Sequence, residues 1–171
     1  MLQSHIDYES TPESRHLGEF GSASVKRPIE MRDKLPVSLA ELGVDRAQQQ
    51  GNNAFKEQDM RTAIRMWSDA LLKAKDLVAP APKNLQASRA AQLHANRCQA
   101  HLTLGDEAAA LADAKAAVAE SPGWPKAYYR QGTVLARQKS YAQAVAVFER
   151  GLKLDPGNAE LRKSCDEARA A

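Results

Sequence analysis

"GWPKAYYRQGTVLARQKSYAQAVAVFERGLKLDP", Gly123 to Pro156, decides the fold of this chain. Two runs with helical spacing of apolar residues, 125–138 and 141–154, are separated by Lys139-Ser140 and closed by Asp155-Pro156. Pro125 suits the first turn of the first helix, where no amide donor is needed. Lys126 and Arg130 lie four residues apart, which puts them on one helix face. With no acid between them they repel each other, unless an anion sits in front of them.

The unit recurs. Displaced by 34 residues, Gly132 falls on Cys98, Ala144 on Ala110, Gly151 on Ala117 and Pro156 on Pro122. Displaced by a further 47, the same places hold Gly51, Ala63 and Ala70. Small residues stand where paired helices must approach closely, and Trp67, Ala114 and Phe148 recur between them as plugs. The remaining helices are predicted near 45–58, 61–78, 84–104, 106–120 and 158–170, with Asp106, Ser140 and Asn158 as N-caps. One such unit cannot bury its own apolar face, so three stack into a continuous core. The last helix, with Glu160, Arg162, Lys163, Asp166, Glu167 and Arg169, covers the open end with a polar face.

The period and the recurring small residues and proline resemble the tetratricopeptide repeat family. The resemblance covers 44–171. It implies an all-α, right-handed superhelical α-solenoid: repeats at about 44–83, 84–122 and 125–156, and a capping helix at 158–171. Residues 1–43, with three prolines and no sustained periodicity over 1–40, are expected to be an extended or disordered N-terminal arm. The first spacing departs from the pattern by thirteen residues around "KDLVAPAPKNLQASRAA". The second and third helices are therefore expected to be lengthened, with "APAPK" as the turn, as in immunophilin-type co-chaperones.

Composition narrows the function. The chain has 171 residues and a net charge of +3, too small for the basic face of a nucleic-acid binder. Hydrophobic content is 43% but aromatic content only 5%, which favours close helix packing over a thick sandwich. Cys98 and Cys165 show no disulfide spacing, so a reduced intracellular setting is expected. The N-terminus lacks a secretory pattern, and no run approaches the roughly 20 apolar residues of a membrane span. A soluble cytoplasmic protein is the reading.

In chaperone-adaptor members of the family the concave groove carries a two-carboxylate clamp. The resemblance carries that role to Asn52 in "GNNAF", Asn96 in "ANRCQA", and Lys126 and Arg130 in "WPKAYYR". The fifth position, one turn before Asn52, is a Lys in the family and Gln48 here. A neutral amide keeps a hydrogen bond but loses charge assistance, a deficit on the order of 1 kcal/mol. A peptide ending in Asp offers two carboxylates to such a site, and Pro125–Lys139 contains no Asp or Glu to compete.

Two other constellations carry less. His94, Cys98 and His101 share a helix face and are metal-ligand types, but the repeat places Cys98 at a small packing position and His94 at that of Tyr128. Packing is the expectation, with no metal and no cofactor. "GDEAAALADAK" has acids at a helix start, where they favour the dipole. No phosphate loop, activated nucleophile or carboxylate pair points to an enzyme.

The leading expectation is a non-catalytic adaptor that binds the acidic C-terminal tail of a heat-shock protein 70 or 90 chaperone, with a second partner on the N-terminal arm. The rival is a structural subunit of a large assembly such as a ciliary axoneme, gripping a neighbour with groove and arm. Binding of a free acidic C-terminal pentapeptide separates the two.

Overall fold

Four of the described helices begin at a residue whose side chain accepts a hydrogen bond from a first-turn backbone amide. The computed structural model describes residues 39–75 and 88–171, all within one unit, Val37–Ala171. Seven α-helices and no strand occur among them: α1 (Leu39–Lys56), α2 (Met60–Ala74), α3 (Arg89–Leu104), α4 (Glu107–Glu120), α5 (Pro125–Arg137), α6 (Tyr141–Leu154) and α7 (Ala159–Ala170). Asp106 and Asn158 cap α4 and α7, accepting from the amides of Ala109 and Leu161 at 3.0 Å. Ser140 stands at the N-cap of α6 without a side-chain hydrogen bond. Asp59 and Ser88, not foreseen, cap α2 and α3.

Two boundaries correct the sequence reading. Helix α1 starts at Leu39, inside the 1–43 stretch expected to be extended. Glu41 in its first turn suits the positive end of the helix, and Val44 is fully buried one turn on. The expected lengthening of the third helix to begin at 84 does not occur: Ser88 is non-helical and accepts from the Ala91 amide, so α3 begins at Arg89. The expected continuation of the second helix to 78, the "APAPK" turn and the arm's extended state lie outside the described residues.

The helices pack in chain order, each on the one before and the one after. The first helices of successive pairs also touch, α3 on α5 and α5 on α7. These contacts give the array one face lined by α1, α3, α5 and α7. The turn inside each pair is closed the same way three times. Gln58, Gly105 and Lys139 occupy equivalent positions, with φ of 62°, 80° and 58°. The left-handed conformation costs a side chain about 1–2 kcal/mol, so only Gly105 adopts it freely.

Size complementarity holds each pair together. A Cβ on Gly51 would lie 2.6 Å from the Trp67 ring, and one on Gly132 would lie 2.4 Å from that of Phe148. In the middle pair the plug shrinks to Ala114 and the small residue grows to Cys98, within one buried cluster. Leu102 and Val134 complete that cluster, with Leu111 packed against it.

Candidate functional site

Two pockets repeat along the face made by the first helices. The larger, of about 400 Å³, lies at the C-terminal end and includes Thr133, Ala136, Arg137, Phe148, Ser164 and Glu167. The other, of about 370 Å³, is lined by Gln49, Asn52, Phe55, Lys56, Trp67, Asn96, Gln99 and Arg130. They are counterparts two units apart: Asn52 answers to Thr133, Lys56 to Arg137, Trp67 to Phe148, Asn96 to Ser164 and Gln99 to Glu167. The substitutions separate their chemistry. The C-terminal pocket has exchanged amides for hydroxyls and carries an acid. The N-terminal pocket has four amide side chains, two cations and no carboxylate, so it is the one suited to an anion.

Its side chains are oriented from behind. Trp67, buried between α1 and α2, donates its indole N–H to Asn52 Oδ1 at 3.1 Å. An indole N–H can only donate, so that atom of Asn52 is the oxygen, and the amide NH₂ is left for the pocket. The Phe55 ring sits 5.7 Å from that of Trp67 and closes the same wall. On the far side, Arg130 Nη1 donates to Gln99 Oε1 at 2.6 Å, which leaves the Gln99 NH₂ unused by that bond. Arg130 Nε is buried and has no hydrogen-bond partner. The Asn96 side chain makes no hydrogen bond with the described residues.

Three of the five residues carried over from the resemblance, Asn52, Asn96 and Arg130, therefore line one pocket. Gln48, half-buried one turn before Asn52, is not on its wall, and neither is Lys126. Lys126 stands exposed one turn before Arg130, with no ion pair among the described residues. Lys56, Gln99 and Trp67 were missed. Lys56 lies four residues after Asn52 and Gln99 three after Asn96, so helical spacing held the signal for both.

In the second constellation Cys98 packs in the core as expected. His94, also largely buried, carries a polar contact that the sequence reading lacked: its Nδ1 lies 2.9 Å from Asp113 Oδ1. Arg97 holds the same carboxylate with Nε on Oδ2 at 2.8 Å and Nη2 on Oδ1 at 2.6 Å, and gives Nη1 to Ser68 Oγ at 2.8 Å. His101 Nε2 is 3.9 Å from Asp113 Oδ2. Asp113 is thus no dipole-favouring acid at a helix start. It is 3% exposed, two turns into α4. Burial pushes the Cys98 thiol up to about 12, with the Arg130 charge opposing that shift. Among the described residues no group of His, Cys, Asp or Glu is arranged to hold a metal ion, and no helix is long and apolar enough to cross a membrane.

The described residues thus form a stack of helical hairpins with an oriented amide and cation pocket on one face. The model of the tetratricopeptide repeat family matches residues 125–158. The chain is 29% identical over 136 residues to the Hsp70-Hsp90 organizing protein of Triticum aestivum, covering 80% of this chain and 20% of that protein. It is 33% identical over 160 residues to tetratricopeptide repeat protein 28 of Homo sapiens, covering 94% of this chain and 6% of that one. Among solved structures, the first tetratricopeptide domain of Spaghetti (RPAP3), bound to the Hsp90 peptide SRMEEVD, superposes with a TM-score of 0.64. That match covers 75% of this chain and 94% of the other, at 23% identity. Residues 125–158 are a tetratricopeptide repeat, and the described helices form a tetratricopeptide solenoid, a protein-interaction fold. The chain spans only 20% and 6% of these two relatives' lengths.

Proposed function

We propose that this chain is a non-catalytic adaptor whose N-terminal pocket binds the acidic, free C-terminal tail of a cytoplasmic chaperone of the Hsp70 or Hsp90 class. The observation that carries the reading is the acid-free pocket, with the Asn52 amide oriented by Trp67 and Arg130 on its lining. The Hsp90 peptide held by the structurally similar Spaghetti domain ends in Glu-Glu-Val-Asp, a sequence with several carboxylates in a short span. Asn52, Asn96 and Gln99 offer neutral donors, Arg130 a charged one, and Lys126 stands one turn along α5 for an acid further up the peptide.

The test is a calorimetric titration with a pentapeptide ending in Glu-Glu-Val-Asp. Wild type should bind it with a dissociation constant on the order of tens of micromolar. Arg130→Ala should weaken binding about 10- to 150-fold, the worth of one or more hydrogen bonds to a charged group, about 1.5–3 kcal/mol. No binding by wild type would move the account to the scaffold reading, in which the face grips an internal segment of a neighbouring chain.

A further inference from the structure

We infer that Lys56 supplies the cation on the α1 wall of this pocket, doing for the ligand what a charged residue at position 48 would do. The inference rests on the acidic-peptide reading above. Gln48, Asn52 and Lys56 sit on successive turns of one face of α1. Gln49, Asn52, Phe55 and Lys56 form the α1 wall of the pocket, and Gln48 is not among its lining residues. A carboxylate seated there meets Lys56.

Three features of the site support this assignment. Lys56 is exposed and forms no ion pair with the described residues, so its ammonium is free for a ligand. It lines the same pocket as Arg130, with Asn52 and Asn96 on that lining and no Asp or Glu among the lining residues. Two cations lining one acid-free pocket are both satisfied by a ligand with two carboxylates. The neutral Gln48 therefore costs the site little, because the pocket takes its second positive charge from the other end of the same helix.

A plainer role exists for Lys56. It lies in the last turn of α1, where a cation favours the negative end of the helix. The experiment separates the two. The full chain carrying Lys56→Met, Lys56→Arg or Gln48→Ala is titrated with the Glu-Glu-Val-Asp pentapeptide at low and moderate salt, and each variant is melted. Lys56→Met should weaken binding about five- to tenfold and flatten its salt dependence. Lys56→Arg should restore most of the affinity, Gln48→Ala should change it less than twofold, and no melting point should move by more than a degree or two. Wild-type affinity in Lys56→Met, with Arg130→Ala still impaired, overturns this inference and leaves the adaptor reading intact. A larger loss from Gln48→Ala than from Lys56→Met also overturns it. Failure of wild type to bind the peptide overturns both.

Discussion

Replacing Asp113 by Ala should destabilise the domain by about 3 kcal/mol, measured by urea denaturation. The carboxylate is 5% exposed at its side chain and is the common acceptor for Arg97 and His94. Removing one partner of a buried pair costs about 3–5 kcal/mol, because the remaining charge is left uncompensated. Arg97 keeps 22% of its side-chain exposure, which places the expected loss at the lower end. Asp113→Asn retains one oxygen for the guanidinium and should cost about 1–2 kcal/mol. Burial pushes the Asp113 carboxyl up, but the hydrogen bonds from His94 and Arg97 and their charges outweigh it, so it titrates below its ordinary value. A depressed folded-state value means stability that is fully present above the unfolded value, about 4, and is lost as the pH falls through the folded one. The gap between wild type and Asp113→Ala should therefore narrow below about pH 4. A gap under 1 kcal/mol at neutral pH would contradict the network.

Trp67→Ala should be the costliest change in the first repeat, about 3–5 kcal/mol. Trp67 is 2% exposed and packs on Gly51, whose missing side chain gives the void nothing to collapse into. Trp67→Phe isolates the second role of this residue. It keeps an aromatic plug and deletes the N–H that fixes Asn52, freeing that amide to rotate. Stability should fall by about 1 kcal/mol, the net worth of one hydrogen bond plus a small void, while acidic-peptide affinity falls about fivefold. Unchanged affinity in Trp67→Phe would mean that the indole does not orient the site.

The parts of the fold legible in the sequence are those where one residue type answers one geometric need in every unit. Gly51, Cys98 and Gly132 face Trp67, Ala114 and Phe148, and both members of each pair recur at fixed spacing. The start of α1 was hidden because Pro36 and the polar residues before it dominate the local composition, while Val44 and Ala47, which pack the helix, lie further on. The Asp113 network was hidden for a different reason. An acid near a helix start has an ordinary explanation, and only the phase of α4 contradicts it: Asp113 shares a buried stripe with Ala110, Ala114 and Ala117. Arg97 was passed over beside two conspicuous histidines. In the pocket, asparagines carried over from the resemblance were legible, but the direction of the Asn52 amide depends on a ring fifteen residues away in the chain.

The central claim is that a carboxylate binds among Asn52, Asn96, Gln99 and Arg130. The most direct measurement follows the side-chain amide resonances of those three amides by NMR, while the chain is titrated with the Glu-Glu-Val-Asp pentapeptide in its free-acid and its amidated forms. The free acid should move all three together and saturably, and the amidated peptide should weaken the effect about tenfold or more. Equal shifts from both peptides, or shifts confined to residues outside this pocket, would contradict the account.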